Sequence, residues 1–212
     1  MCQICRGDYD NTTIELNISN CPDLTSLPIL PDSLRKLIVN NCPILTKLPT
    51  LPDSLQKLYC YNCISLEKLP TLPDSLQKLY CYNCSALKTL PTLPNSLRTL
   101  DCYNCSALKT LPSFPESLRM LDCYDCHSLT VLPALPLTLE ELACGNCRSL
   151  LEFPIDRFSI PDGCPFLIEE NRQKALFIKD WLRYRNRIRN VNRKRLLSSV
   201  VCSDVAGLIV RY

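Results

Sequence analysis

The chain has 212 residues, of which 46% are hydrophobic and 21% charged, with a net charge of +3; this is an ordinary globular balance and excludes disorder throughout. Sixteen Cys and 17 Pro against only 4 Gly do not fit a glycine-punctuated β-sandwich and call for a search for internal repeats. No uninterrupted apolar run approaches the ~20 residues that span a bilayer, and the first residues hold no basic stretch followed by an apolar one, so the expected compartment is intracellular and reducing.

At the N-terminus, Cys2 and Cys5 have the Cys-x-x-Cys spacing of half a zinc module. No second Cys/His pair follows at suitable spacing, so residues 1–10 read as a cap. From residue 11 the chain repeats. Cys21, Cys42, Cys63, Cys84, Cys105, Cys126 and Cys147 are each 21 residues apart, as are Leu16, Leu37, Leu58, Leu79, Leu100, Leu121 and Leu142. Residues 11–154 therefore hold seven copies of one unit. The clearest copy runs Leu55-x-x-Leu58-x-Cys60-x-x-Cys63-x-x-Leu66-x-x-Leu69-Pro70-x-Leu72-Pro73.

Within the unit, Leu58 and Cys60 alternate with outward residues, as a short strand requires. One copy cannot bury that face alone, so stacked copies build a parallel sheet with a continuous core behind it. Seven strands at ~4.8 Å make a sheet about 30 Å long. The return stretch places prolines where no ladder hydrogen bond is wanted and predicts a polyproline-like convex side, with Phe114 and Phe153 filling leucine slots. The Asp53-Ser54, Asp74-Ser75 and Asn95-Ser96 pairs are expected to hydrogen-bond local backbone and turn the chain into the next strand.

The cysteines pose the question of chemistry, since Cys60/Cys63, Cys81/Cys84, Cys102/Cys105, Cys123/Cys126 and Cys144/Cys147 all have zinc-knuckle spacing. The column of Cys60 continues as Val39 and Ile18, so that slot accepts any small apolar side chain. The column from Cys21 to Cys147 turns inward after the strand, where a metal would need thiolates in an apolar interior. Both read as core, without metal or cofactor. Disulfides between repeats are disfavoured because parallel side chains ~4.8 Å apart miss the ~3.8 Å Cβ separation of a bridge.

On the outward face, expected to be concave, Tyr61, Tyr82, Tyr103 and Tyr124 form one column, Tyr59, Tyr80, Asp101 and Asp122 a second, and Lys36, Lys57, Lys78, Thr99, Met120 and Glu141 a third. Exposed tyrosines supply contact area at low entropy cost, as in interface hot spots; stacked tyrosines can equally serve only to stabilise neighbouring strands. The change from basic early repeats to acidic later ones could orient a partner. Asn20, Asn41, Asn62, Asn83 and Asn104 read as a side-chain ladder, and His127, the one histidine, as an outward variable position.

The unit resembles the short LPX subclass of leucine-rich repeats found in bacterial effector proteins that act inside host cells; similar repeats occur in plant immune receptors and in proteins of large DNA viruses. The resemblance implies a leucine-rich-repeat solenoid and a protein partner, with the host-cell interior as site of action for an effector. Some LPX effectors carry a ubiquitin-ligase domain with a catalytic Cys-x-Asp. Here Cys123-Tyr124-Asp125 lies inside a repeat, and Cys202-Ser203-Asp204 lies in the tail after Pro154, which is far shorter than such a domain, so no catalytic residue is assigned.

Residues 155–212 hold a degenerate repeat and a basic segment. Between about 167 and 197, Ile178, Trp181, Leu182, Ile188 and Val191 have helical spacing, which predicts capping helices and makes the expected class α/β. From Asn171 to Arg195 ten basic residues face one acidic residue. Arg183, Arg185, Arg187, Arg189, Arg193, Lys194 and Arg195 form a candidate surface for nucleic acid or anionic membrane. The overall expectation is a monomeric, cytoplasmic, non-enzymatic interaction module. The alternatives are substrate recognition in a ubiquitin-ligase system and binding through the basic segment.

Overall fold

The computed structural model describes residues 7–151. Cys2, Cys5, Phe153, Cys202, the predicted capping helices and the basic residues from Arg183 to Arg195 lie outside the described residues. Seven strands follow one another: β1 (Glu15–Ser19), β2 (Lys36–Asn40), β3 (Lys57–Tyr61), β4 (Lys78–Tyr80), β5 (Thr99–Asp101), β6 (Met120–Asp122) and β7 (Glu141–Ala143). They form one sheet in chain order, every pair parallel and every residue opposite its equivalent one repeat on, as Leu58 is opposite Leu79. This is the arrangement that a regular repeat with an alternating apolar strand requires. No helix occurs among the described residues, so the α component of the expected class rests entirely on the C-terminal segment.

Behind the sheet the repeated apolar positions close into one core. Leu58, Cys60, Cys63, Leu66, Leu69, Leu72 and Leu76 are all buried, and the equivalents in neighbouring repeats stack on them. Phe114 packs against this core in a leucine slot. Opposite the sheet the return segments have no regular helix or strand. They are held by single contacts per repeat, such as the Lys88 amide donating to the Glu67 carbonyl at 3.3 Å and the Lys109 amide donating to that of Lys88 at 3.3 Å. Isolated bridges pair Lys47 with Lys68 and Lys68 with Thr89.

Two polar ladders lock the repeats together. The Ser75 hydroxyl donates to the Leu55 carbonyl at 2.7 Å, and Ser96 and Ser117 donate to Leu76 and Leu97 at 2.6 Å. The serines of the Asp-Ser pairs thus reach back into the preceding repeat rather than capping their own turn, which corrects the local role expected of them. The turn itself closes through backbone, the Leu76 amide donating to the Pro73 carbonyl at 3.0 Å. The second ladder runs through the asparagines. Asn41 donates to Asn20 at 2.8 Å, Asn83 to Asn62 at 2.9 Å and Asn104 to Asn83 at 3.0 Å, while Asn62 donates instead to Asn40 at 3.4 Å.

These asparagines also set the backbone. Asn20, Asn41, Asn62, Asn83, Asn104, Asp125 and Asn146 all have φ between 52° and 60°, the left-handed region that Asn and Asp tolerate better than other L-residues. The chain turns inward there and delivers the following cysteine to the core. The amide of the same residue crosses to the next repeat, as Asn83 does to the Tyr103 carbonyl at 2.8 Å.

Candidate interaction face and buried thiol columns

Strand alternation sends Leu58 and Cys60 inward and leaves Lys57, Tyr59 and Tyr61 outward. Because the strands are parallel and in register, each outward residue type becomes a column. Tyr59 stacks on Tyr80 with ring centroids 4.8 Å apart and planes 4° from parallel, and Tyr61 on Tyr82 at 4.7 Å and 6°. Tyr59 and Tyr61 meet edge to face at 6.3 Å, and Tyr103 stacks on Tyr124 at 5.8 Å. The tyrosines are half-buried by their neighbours except Tyr124, which is 38% exposed. Burial and the neighbouring Tyr59 and Asp101 push the Tyr80 hydroxyl above its ordinary range, so it remains a protonated donor.

Asp101 and Asp122 replace the tyrosines on β5 and β6 and lie opposite one another. Their Oδ1 atoms accept the backbone N–H of Tyr103 at 3.0 Å and Tyr124 at 2.9 Å. Burial raises both carboxyls above the usual carboxylate range, against the lowering effect of those hydrogen bonds. Among the described residues neither has a cation within ion-pair distance. In the lysine column Lys36 pairs with Glu15 at 3.1 Å, whereas Lys57 and Lys78 pair with no described carboxylate. Thr99, expected outward in this column, is only 9% exposed, a short side chain flanked by Lys78 and Met120.

The eight aromatic and acidic residues singled out in the sequence thus share one face and two adjacent columns. His127 differs from expectation: it is half-buried, and its Nδ1 lies 2.9 Å from the Asn146 carbonyl, tying its repeat to the next. The asparagine column forms the side-chain ladder expected of it; what sequence reasoning missed is its left-handed backbone. The signal was present, since only Asn or Asp occupies that position in all seven repeats.

The twelve described cysteines are buried. In the inner column the thiols of Cys84, Cys105, Cys126 and Cys147 donate to the carbonyls of Cys60, Cys81, Cys102 and Cys123 at 3.0–3.1 Å. Each reaches back to a carbonyl of the preceding repeat, beyond the strand ladder. Burial and the neighbouring Cys105 push the Cys84 thiol up to about 12. Cys81 and Cys102 are raised by hydrogen bonds with Cys105 and Cys126 and by burial. Among the described residues no group of three or more His, Cys, Asp or Glu is disposed to hold a metal ion. Cys123, of the Cys-x-Asp motif, is fully buried, and its thiol is raised by hydrogen bonds with Cys144 and Cys147 and by burial, the opposite of an activated nucleophile.

A seven-copy leucine repeat, a parallel sheet in chain order and an inward-turning Asn-Cys corner define a leucine-rich-repeat solenoid. Among solved structures the chain is similar to YopM from Yersinia enterocolitica WA-314, with 31% identity over 75% of this chain and 42% of that one and a TM-score of 0.45. It is similar also to a leucine-rich repeat protein of T. pallidum, with 18% identity, 77% and 84% coverage and a TM-score of 0.41. YopM from Yersinia pestis, a leucine-rich effector protein, matches at 26% identity, 73% and 65% coverage and a TM-score of 0.24. The chain spans less than half the length of the Yersinia enterocolitica protein. No protein-family model and no curated protein matches the sequence.

Proposed function

We propose that the chain is a non-enzymatic, adaptor- or effector-like interaction module that acts inside a cell and holds a protein partner on the outward face of its sheet. The observation that carries this reading is the pair of tyrosine stacks, Tyr59 on Tyr80 and Tyr61 on Tyr82, set beside lysines and carboxylates that lack described ionic partners. Pre-stacked rings lose little side-chain entropy on binding and offer both an apolar surface and hydroxyl donors. Asp101 and Asp122 accept the Tyr103 and Tyr124 amides, and their carboxyls, directly opposite one another where like charges are destabilising, also suit a basic group on a partner.

Affinity capture from cell lysate with quantitative mass spectrometry tests the reading. Protein prey are expected to be lost with Tyr59→Ala/Tyr61→Ala/Tyr80→Ala/Tyr82→Ala and retained with Lys88→Gln/Lys109→Gln on the return segments. The reverse pattern would sink it. The ten basic residues between 171 and 195 support a second reading, binding of nucleic acid or anionic membrane. A steep fall in affinity between low and physiological salt is its signature, and salt-independent capture is the contrary result.

A further inference from the structure

The outward face has a polarity that narrows the partner. Lys57 and Lys78 stand together on β3 and β4, and Asp101 and Asp122 on β5 and β6. Tyr59 and Tyr80 continue the aspartate column into the basic half. The basic and acidic pairs are therefore two strand spacings apart along the sheet, and the lysines sit in the adjoining outward column, two residues earlier along each strand. Two spacings of ~4.8 Å, with the sideways step of about 7 Å, separate the charge centres by roughly 12 Å.

The area of the face bears on the kind of occupant. Seven strands give a length of about 30 Å, and strands of three to five residues give a width of about 10 to 17 Å. The product is a backbone footprint of roughly 300 to 500 Å². A single extended segment laid across the strands matches both dimensions.

Resting on the reading above, we infer that the face binds an extended polypeptide segment of bipolar charge. Its acidic residues lie over Lys57, Lys78 and the Tyr59 and Tyr80 hydroxyls, and its basic residues lie over Asp101 and Asp122. At ~3.4 Å per extended residue the two charges fall three to four residues apart in the segment. The stacked Tyr103 and Tyr124 rings wall the acidic half, where a guanidinium gains both carboxylates and a ring face. The two halves fix the direction in which the segment runs, because reversing it places like charges together.

The test is fluorescence anisotropy of the full chain with labelled nonapeptides that carry a Glu pair and an Arg pair at centre-to-centre separations of two to six residues. All-Glu, all-Arg and charge-alternating peptides serve as controls. Peptides separated by three or four residues are expected to bind at least tenfold tighter than every control. Asp101→Asn/Asp122→Asn is expected to reduce them to the level of the all-Glu peptide, and Lys57→Gln/Lys78→Gln to that of the all-Arg peptide. Asparagine retains the oxygen that accepts the Tyr103 and Tyr124 amides, so the first variant removes charge without removing the turn. Binding that is lost with Tyr59→Ala/Tyr80→Ala but indifferent to charge separation overturns the bipolar rule and leaves the docking face standing. Binding of no bipolar peptide overturns the inference alone, since the lysate capture decides the face. Peptide binding that survives the tyrosine changes and both charge variants overturns both.

Discussion

Replacing Asn83 by alanine separates two physical roles carried by one residue. Its side chain donates to Asn62 at 2.9 Å and accepts from Asn104 at 3.0 Å, and its backbone sits at φ 57°. Losing two half-buried hydrogen bonds costs about 1 kcal/mol each. Holding alanine in the left-handed region costs on the order of 1 kcal/mol more than holding Asn there. Asn83→Ala is therefore expected to destabilise the chain by about 3 kcal/mol in all. Glycine adopts positive φ without a Cβ clash, so Asn83→Gly retains only the hydrogen-bond loss, about 2 kcal/mol. Urea unfolding followed by far-ultraviolet circular dichroism measures both, with the m-value unchanged. The ordering of the two variants decides between the roles: an Asn83→Gly variant as unstable as Asn83→Ala would refute a backbone role for the column. An alanine variant as stable as the parent would refute both roles.

Further consequences can be measured separately. Leu100→Ala in the middle of the buried leucine column is expected to cost about 2 to 5 kcal/mol through the cavity it leaves, read as a fall in the urea midpoint. The twelve cysteines between Cys21 and Cys147 are buried, and the thiols of Cys60, Cys81, Cys84, Cys102 and Cys123 are raised. Iodoacetamide at mildly alkaline pH followed by peptide mapping should leave all twelve unmodified in the native chain and alkylate them in urea; native labelling of Cys84 or Cys105 would contradict the core assignment. Asp101 and Asp122 have carboxyls raised by burial, so the folded state favours their neutral form. The cost of charging them is present above the folded value and disappears as pH falls below the unfolded one. Asp101→Asn/Asp122→Asn is accordingly expected to raise Tm at neutral pH, with the gain vanishing by about pH 3.5, below the ~3.9 of an unperturbed Asp. A gain that grows on acidification would reverse the sign of the argument.

Much of this architecture is legible in the sequence because a strict repeat period converts alternation in one repeat into columns across all seven. Once Leu58 and Cys60 point inward, Tyr59 and Tyr61 must point outward, and the stacking of Tyr59 on Tyr80 follows from the in-register pairing. The core role of the cysteines was readable because Val39 and Ile18 share a column with Cys60. Less legible were features that depend on a donor's reach rather than its spacing. Ser75 bonds the Leu55 carbonyl of the preceding repeat, at 2.7 Å, rather than its own turn. Cys84 similarly satisfies the Cys60 carbonyl of the preceding repeat, a role that hydrophobic patterning cannot express. Thr99 is buried in an outward column, between Lys78 and Met120, and His127 turns to the Asn146 carbonyl of the next repeat. The predicted helices and the basic segment lie outside the described residues, and their reading rests on periodicity and charge.

On the proposed function, the outward tyrosine face, and not the return side, meets the partner. The most direct test is site-specific photocrosslinking, with benzoylphenylalanine placed singly at Tyr61, Tyr82 or Tyr124 on the face and at Lys88 or Lys109 on the return segments, followed by mass-spectrometric mapping in lysate. The three face positions are expected to crosslink to a shared segment of one protein, and Lys88 and Lys109 are not. Crosslinks to that protein from Lys88 or Lys109, with none from the tyrosine positions, would contradict the proposed function.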